Sequence, residues 1–339
     1  MNAVSKPMRI GVLGAANIAR AFTAALRSST KVDVCAVASR DADKAVAFAQ
    51  ENGIQQSFGS YEALLADVSI DAIYNPLPNN LHAEWTIKEA NAGKHVLCEK
   101  PLAMNAAEAR AMFAAGERNN VFVVEAYPYR AQPQTIKLAE LLREKAIGKL
   151  QTVQASFGFP LTAPGNIRWD PELGGGALMD LGSYPVSLVR LIAGTRPLRA
   201  QAMASFTERG VDRTLQGTLE FANGLLAQIS CSFAVARHRD ATIIGDAGII
   251  QTHFYNDTSE QFPPLLHVQR GAAFDSPRET ITCAAARGFL AEAESFADLV
   301  DLGWPHWTGA TPEESIDIAL TLDALAASAK SGLPIELPR

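Results

Sequence analysis

Short apolar segments alternate with amphipathic helical segments over the first 125 or so residues, and this alternation limits the possible fold most. The apolar segments have the length of buried parallel strands and lie at 9–14, 32–39, 71–76, 95–100 and 121–126. The helical segments lie at 18–28, 42–52, 60–66, 80–92 and 105–118. This order predicts an α/β fold, a doubly wound parallel sheet whose ligands bind at the carboxyl ends of the strands.

After about residue 126 the pattern becomes that of an α+β domain with a mostly antiparallel, open-faced sheet. Strand-like runs, several joined by tight turns, lie at 150–157, 199–206, 213–221, 224–233, 239–246 and 248–254. Helices are expected at 134–146, 177–192, 287–301 and 312–331. We therefore predict a dinucleotide-binding Rossmann domain over 1–126 and a substrate-binding and oligomerisation domain over 127–339, with helix 312–331 packed back toward the first domain.

Composition and charge exclude several classes of partner. The net charge of −6 and the absence of a Lys/Arg-rich tract argue against nucleic acid, and no apolar run reaches the length of a membrane span. Four cysteines without a CxxC pair indicate reduced thiols, a cytoplasmic protein and no metal site. The alternating strands should leave an apolar sheet face uncovered, which predicts a homodimer or homotetramer through the second-domain sheet.

The first strand runs into a degenerate dinucleotide fingerprint. Gly14 is the first glycine of the pattern G-x-G-x-x-G/A, Ala16 replaces the second, and Ala19 is the permitted third residue. A plain tight turn is the alternative, but the position between a first strand and a first helix favours pyrophosphate binding. The predicted cofactor contacts in this segment are Gly14, Ala15, Ala16, Asn17 and Ile18.

The end of the second strand distinguishes NADP from NAD. Ser39 and Arg40 occupy the position at which NAD enzymes usually carry an acidic residue, and arginine there suits a 2′-phosphate. Asp41 reads as the N-cap of the next helix, with Ser39 as an alternative cap. Arg40 could also be a solvated loop residue. We favour NADP as the cofactor, with NAD possible.

Two further strand ends carry candidate residues on the ligand side. The segment "VLCEKPLA" ends a buried strand with Glu99, Lys100 and Pro101, which is an unusual exit from a packed sheet. Glu99 would orient Lys100 or hold the cofactor ribose, or would form only a strand-end salt bridge. After the third main strand, "PLPNNLHAEW" supplies four candidate cofactor contacts, of which the last is equally a helix cap: Pro76, Leu77, Asn79 and His82.

A polar pair lies on a helix of the second domain, directly after three glycines at 174–176. Asp180 and Tyr184 are four residues apart, so a helix places the carboxylate and the phenol on one face. Pro185 would kink or tighten the helix, and the glycines would allow something to approach closely. The alternative is a chance alignment with Tyr184 packed in the core.

These motifs together resemble the glucose–fructose oxidoreductase / inositol dehydrogenase / MocA family, abbreviated Gfo/Idh/MocA. The resemblance covers nearly the whole chain through "GVLGAANIA", "SRD", "PLPNNLHAEW", "AGKHVLCEKPLA", "EAYPYR" and "LGGGALMDLGSY". It is closest to the dihydrodiol, NADP-dependent xylose and glucose–fructose branches, because inositol dehydrogenases carry histidine where this chain has Tyr184. It implies catalytic roles for Lys100 and Tyr184 and a Lys100–Pro101 bond that is often cis.

The resemblance implies an oxidoreductase that transfers hydride between a nicotinamide and a hydroxyl-bearing carbon of a sugar, sugar derivative or cyclic diol. A phenol has a pKa of about 10, and a neighbouring ammonium lowers it, so Lys100 would tune Tyr184 for proton exchange. Asp180 would hold a second substrate hydroxyl or steady Tyr184. Arg168 is a candidate cofactor contact. Candidate substrate contacts are Tyr127, Arg130 and Trp169, the last equally a structural loop residue.

Relatives commonly read "EAFMYRFHP" where this chain reads "EAYPYRAQP", so Pro128, Ala131 and Gln132 depart from the pattern, as does polar Asn75. These departures leave the substrate open. Two other functions also remain open: an NADP-binding sensor without turnover, and a lyase or hydrolase that uses a tightly held cofactor transiently.

Overall fold

The computed structural model describes residues 6–338 and divides the chain into two compact units. The first unit comprises the chain up to Ala103, Ala107–Ala131 and Arg287–Pro312. The second comprises Met104–Ala106, Gln132–Ala286 and the chain from Glu313 onward. The sequence predicts a single boundary after residue 126, and the division of the structure differs from it at 104–106, 127–131 and 287–312.

Fifteen strands and nine α-helices form the described part of the chain. The strands are β1 (Met8–Leu13), β2 (Val32–Ala38), β3 (Gln56–Phe58), β4 (Ala72–Asn75), β5 (His95–Glu99), β6 (Val123–Ala126), β7 (Leu150–Gly158), β8 (Arg199–Phe206), β9 (Asp212–Glu220), β10 (Leu226–Ser232), β11 (His238–Gly245), β12 (Gly248–His253), β13 (Leu265–Arg270), β14 (Arg278–Thr282) and β15 (Ile335–Glu336). The helices are α1 (Asn17–Leu26), α2 (Ala42–Asn52), α3 (Tyr61–Leu65), α4 (His82–Asn91), α5 (Ala106–Asn119), α6 (Pro133–Arg143), α7 (Ser183–Ala193), α8 (Gly288–Leu302) and α9 (Pro312–Ser331).

The first unit contains the predicted doubly wound sheet, with six parallel strands in the order β3-β2-β1-β4-β5-β6. The strand order reverses between β1 and β4, which is the switch point at which such sheets bind ligands. Strands β1, β4 and β5 are almost wholly buried because helices cover both faces, which explains their continuous apolar sequences. Because the strands are parallel, the loops after β1, β2, β4 and β5 all leave from the same edge.

Helix α8 belongs to the first unit although it lies far along the chain. Phe289, Ala293 and Phe296 recur at helical spacing and pack in the same apolar cluster as Phe22 and Tyr74. Phe22 stacks on Tyr74 with ring centroids 3.8 Å apart and meets Phe289 edge-on at 5.9 Å. This apolar face explains why residues near 290 join the first unit rather than the second.

The second unit contains a nine-stranded sheet in the order β14-β13-β12-β11-β7-β10-β9-β8-β15. Its pairs are antiparallel except β7 with β10, which confirms a mostly antiparallel sheet. Helix α7 packs on β7 and β10, and Leu325 of α9 lies so close to Gly217 of β9 that a Cβ on that glycine would clash with it. Arg190 of α7 pairs with Asp317 of α9 at 2.8 Å.

The opposite face of this sheet is polar, which corrects the expectation of an uncovered apolar face. The outward positions of the central strands are mostly amide and hydroxyl side chains, with Met203 at 82% exposed and Leu226 at 48% exposed as large apolar exceptions. Those polar residues are Gln154, Ser156, Gln201, Gln216, Thr218, Gln228, Ser230 and Thr242. The apolar half of each alternating strand faces the helices instead, so association through this face would depend on hydrogen bonds more than on apolar burial.

Between residues 6 and 338, no helix is both long enough and apolar enough to cross a membrane. Within the same range, no group of three or more His, Cys, Asp or Glu side chains is arranged to hold a metal ion. The cysteines in this range are unpaired, and Cys35, Cys98 and Cys231 are buried.

Candidate active site

The turn after β1 has the geometry of a dinucleotide-binding loop. Gly14 has a φ of +86° and donates its amide to the Ala38 carbonyl at 2.7 Å. A Cβ on Gly14 would lie 3.3 Å from Leu77 Cδ2, so a glycine here lets the β1 and β4 loops approach closely. Helix α1 begins at Asn17, and no side chain caps it at Ala16. The residues present therefore fit a pyrophosphate at the amino end of α1.

The loop after β2 separates the capping residue from the candidate phosphate-binding residue. Asp41 caps α2 by accepting from the Lys44 amide at 3.2 Å, as predicted, and Ser39 Oγ accepts from the Asp41 amide at 3.2 Å. Arg40 is exposed, and its guanidinium lies at the Tyr61 hydroxyl. Burial raises the pKa of Tyr61, and the charge and hydrogen bond of Arg40 act in the opposite direction.

His82 is fully buried and holds two loops together. Its Nδ1 lies 2.9 Å from the Pro101 carbonyl oxygen, and its Nε2 lies 2.7 Å from the Leu77 carbonyl oxygen. Burial lowers the pKa of His82. Both ring nitrogens face backbone carbonyls, so the imidazole holds the loops after β4 and β5, and a cofactor contact of His82 stays a prediction. Pro76 and Leu77 in the same loop are buried, and Asn79 is half-buried.

The turn after β5 holds Lys100 through its backbone. Glu99 Oε1 accepts from the Tyr74 hydroxyl at 2.6 Å, and Glu99 Oε2 accepts from the Lys100 amide at 3.3 Å. The Lys100–Pro101 bond is cis, as the family resemblance implies. The next amide, that of Leu102, donates to the Glu125 carboxylate at 2.9 Å. Two buried carboxylates thus fix the backbone on either side of Lys100, and of the roles open to Glu99 this geometry favours orientation of Lys100.

A π-helical turn precedes α7 and contains Asp180, whereas Tyr184 lies in α7 itself. Residues Leu178–Gly182 form this turn, and α7 begins at Ser183. Pro185 has no amide to bond back to the preceding turn, which favours the wider helix there. Asp180 accepts from Arg168 Nε at 2.5 Å and is 9% exposed. Asp180 therefore pairs with Arg168, the residue that we predicted to contact the cofactor.

Two of the three glycines before this turn lie in close contact with other parts of the chain, where a side chain would not fit. A Cβ on Gly175 would lie 2.5 Å from the Arg168 carbonyl oxygen, and one on Gly176 would lie 2.2 Å from Asp212 Oδ1. Asp212 in turn accepts from the Leu178 amide at 2.7 Å, at the start of the π-helical turn. The glycines therefore fold the segment that carries Arg168 against the helix that carries Asp180.

Tyr184 is held by residues that sequence reasoning missed. Asn256 Nδ2 donates to the Tyr184 hydroxyl oxygen at 3.0 Å, and the Arg239 guanidinium lies over the Tyr184 ring, 3.9 Å from its centroid. Phe157 meets the same ring edge-on at 5.5 Å. Arg239 and Asn256 lie 55 and 72 positions after Tyr184 in loops and strands without a recognisable motif, so no sequence signal identified them.

The candidate substrate residues differ in accessibility. Tyr127 is 0% exposed and Arg130 is 2% exposed, and the segment that contains them packs against α8 within the first unit. They have little free surface for a substrate. Trp169 is half-buried and meets the ring of Phe233 edge-on at 5.1 Å, which agrees with its alternative reading as a structural loop residue.

Two family models match the chain. One, described as an oxidoreductase family with an NAD-binding Rossmann fold, matches residues 8–127. The other, described as the GFO/IDH/MocA C-terminal domain, matches residues 135–251. The two matches correspond to the first sheet with its nucleotide loop and to the helix and strands around Tyr184.

Named relatives and solved structures agree with these matches. D-xylose 1-dehydrogenase (NADP(+)) 2 of Haloferax volcanii is 37% identical over 97% of this chain and 100% of its own length. Trans-1,2-dihydrobenzene-1,2-diol dehydrogenase of Xenopus laevis is 39% identical over 71% of this chain and 74% of its own. A 3-ketoreductase of Actinomadura kijaniata, solved with NADP and TDP-benzene, aligns with a TM-score of 0.86 at 31% identity, covering 95% of this chain and 98% of that one. The chain thus belongs to the GFO/IDH/MocA family of NAD(P)-dependent oxidoreductases.

Proposed function

We propose that this enzyme transfers hydride between NADP and a hydroxyl-bearing carbon of a sugar, a sugar derivative or a cyclic diol. The observation that carries the proposal is the environment of Tyr184, whose phenol oxygen accepts from Asn256 while a guanidinium covers its ring. A structural tyrosine has no need of both groups. An acid–base tyrosine does, because its oxygen must be held in one place while its charge changes.

The chain's own residues divide the work as follows. Tyr184 takes the hydroxyl proton during oxidation and returns it during reduction. Lys100, whose backbone Glu99 holds, stabilises the phenolate and orients the substrate oxygen. Asp180, oriented by Arg168, accepts from a second substrate hydroxyl. A bound nicotinamide supplies the hydride acceptor.

The preference for NADP rests on Arg40. It is exposed at the end of β2, and its guanidinium is held at the Tyr61 hydroxyl beside the Gly14 turn. A guanidinium at this position suits a 2′-phosphate, which an acidic residue would repel. The Haloferax relative is named for NADP(+), and the Actinomadura structure contains NADP.

The relatives and two candidate polar groups support the proposed substrate class. The relatives are named for D-xylose, for a dihydrobenzene diol and for a dTDP-linked sugar, all of which carry neighbouring oxygens on a ring or chain. Tyr184 and Asp180 suit two such oxygens. We also propose a cytoplasmic enzyme that assembles as a homodimer or homotetramer through the polar face of its second sheet.

The test is a panel of aldoses, inositols and cyclic diols assayed with NADP and with NAD, using the wild type, Tyr184→Phe and Lys100→Met. A general acid or base contributes about 10²–10⁴-fold, so turnover of Tyr184→Phe should fall by that order while NADP affinity is retained. Lys100→Met should fall at least as far. Near-normal turnover of Tyr184→Phe would exclude the proposed proton transfer.

Two other functions give different results in the same panel. A sensor would bind NADP, seen by cofactor fluorescence, without turnover of any substrate. A lyase or hydrolase would retain its cofactor through purification and show no net change in cofactor redox state per turnover. The environment of Tyr184 favours the oxidoreductase over the sensor, because binding alone does not require it.

A further inference from the structure

A chain of polar contacts in the second unit leads from Arg239 through Asn256 to Tyr184. Arg239 lies on β11 and is 5% exposed, and its Nη1 donates to Asn256 Oδ1 at 3.1 Å. Asn256 Nδ2 then donates to the Tyr184 oxygen at 3.0 Å. The guanidinium carbon of Arg239 lies 3.9 Å from the Tyr184 ring centroid and 4.8–4.9 Å from the centroids of Phe254 and Phe157. The cation is thus enclosed by three aromatic rings.

We propose that Arg239 and Asn256 are positioning residues that stabilise the anionic form of Tyr184 and direct its hydroxyl proton away from Asn256. The proposal deepens the function above and rests on Tyr184 being the acid–base group. Neither residue is part of a motif that identifies the family, and neither needs to touch the substrate.

The first step of the argument is electrostatic. A guanidinium over an aromatic face is attracted to the neutral ring, and it is attracted more strongly to a phenolate, whose negative charge is delocalised into the ring. Enclosure by Phe157 and Phe254 excludes water, so the attraction is screened less than it would be at the surface. Arg239 therefore favours the anion over the neutral phenol.

The second step concerns the direction of the proton. The Asn256 amide cannot be reversed, because its oxygen accepts from Arg239 and only its nitrogen can then face Tyr184. The phenol oxygen consequently accepts from Asn256, and its own hydrogen must point elsewhere. The hydroxyl hydrogen is therefore directed away from Asn256, and a phenolate at this position keeps one donated hydrogen bond.

The third step is the anchor of the Asn256 loop. Gln132 is 1% exposed, and its Nε2 donates to the carbonyl oxygens of Asn256 and Ala286, the latter at 2.9 Å. Its Oε1 accepts from Thr258 Oγ1 at 3.2 Å. Gln132 thus holds the backbone of Asn256 and the side chain of Thr258, which fixes the distance from the Asn256 amide to the phenol.

Other charged groups of the second unit lie near Arg239, Asn256 and Tyr184, and a pH profile must be read with them in mind. Asp180 and Arg168 form an ion pair one turn before Tyr184. Asp240, next to Arg239 on β11, pairs with His253 on β12 at 2.5 Å. Both acids have a cationic or protonatable partner, whereas Arg239 is the charge that lies directly on the phenol ring.

The experiment compares Arg239→Gln, Arg239→Lys and Asn256→Ala with the wild type, and uses Arg237→Gln as the matched control. Arg237 is an exposed neighbour whose guanidinium lies over Phe159 at 5.5 Å, away from Tyr184. Two readouts are taken: the pH dependence of kcat for oxidation, and the ultraviolet absorption of tyrosinate during alkaline titration, each corrected by subtracting Tyr184→Phe.

For Arg239→Gln, we expect the midpoints of both titrations to rise by about 1 pH unit or more and kcat at neutral pH to fall about 10–100-fold, with KM changed much less. Arg239→Lys should recover part of the shift, and Asn256→Ala should lower kcat about 10-fold. Arg237→Gln should match the wild type. NADP affinity and circular dichroism verify that each variant is folded.

Equal midpoints in the wild type, Arg239→Gln and Arg239→Lys would overturn the proposal. This failure is distinguishable from failure of the proposed function. If the proposed function failed, Tyr184→Phe would retain turnover. The tyrosinate titration would still report whether Arg239 acts on the phenol.

Discussion

Glu89 provides a direct test of how a buried carboxyl group affects the stability of the first unit. It lies on α4, is 0% exposed, and has Asn75 as its polar neighbour. Burial raises the pKa of Glu89 well above its ordinary value of 4.5, and the nearby Asn75 side chain offsets this only in part. The native protein therefore holds this proton over a pH range in which the unfolded chain has lost it.

The sign of the pH dependence follows from that difference in bound protons. Between 4.5 and the raised native pKa, the native state binds up to one proton more than the unfolded state at this position, so stability falls as pH rises. One proton corresponds to about 1.4 kcal/mol of unfolding free energy per pH unit. Glu89→Gln keeps the shape of the side chain but never ionises, so it should remove this contribution. The unfolding free energy of the variant should therefore increase relative to that of the wild type as pH rises.

The assay is urea unfolding of both proteins at a series of pH values from 5 to about 8. Glu117→Gln, an exposed carboxylate on α5, is the matched control and should follow the wild type. The stability difference between Glu89→Gln and the wild type should grow with pH. A constant difference across the range would mean that Glu89 ionises in the native protein as readily as in the unfolded chain, and the argument from burial would fail.

Three other outcomes are expected. Arg40→Asp should raise KM for NADP at least about 10-fold and improve use of NAD, and an unchanged ratio of kcat/KM for the two cofactors would remove Arg40 from the site. Asp317→Asn should destabilise the second unit by about 3 kcal/mol in urea unfolding, because it leaves the buried Arg190 guanidinium with only Glu314 at 4.0 Å. The exposed pair of Lys31 with Asp298 is the control, and Asp298→Asn should cost less than about 1 kcal/mol. Light scattering at micromolar concentration should find a dimer or larger assembly, and a monomer would refute association through the sheet.

The parallel sheet and its ligand edge could be predicted from the sequence because each depends on local signals. A buried parallel strand is continuously apolar, and the residue that follows it leaves from a known edge. Helix α2 was predicted at its observed bounds, since Asp41 and Gly53 end it with a cap and a left-handed turn. The short strands β3 and β15 were missed, because three or two residues carry too little periodicity to be recognised. The longer strands β13 and β14 were missed as well.

Local sequence signals did not identify the unit to which α8 belongs or the polarity of the exposed sheet face. Phe289 and Phe296 indicate an apolar helix face, but not which of two sheets it covers. Alternation in β9 and β10 shows that one face is buried, and the sequence was misread in assigning apolar residues to the other face. The amides of Gln216 and Gln228 on the exposed side correct that reading.

Two departures from the family pattern, Asn75 and Gln132, hold loops of the candidate site. Asn75 donates to Thr86 at 3.2 Å and accepts from the Leu77 amide at 3.3 Å, so it fixes the β4 loop on which Leu77 meets the Gly14 turn. Gln132 fixes the loop that carries Asn256. An amide one methylene shorter than Gln132 could not reach both of its carbonyl partners, so the contact of Asn256 with the phenol depends on side-chain length at position 132. Differences in substrate between this enzyme and its relatives should therefore arise from the placement of these loops as well as from the residues that touch the substrate.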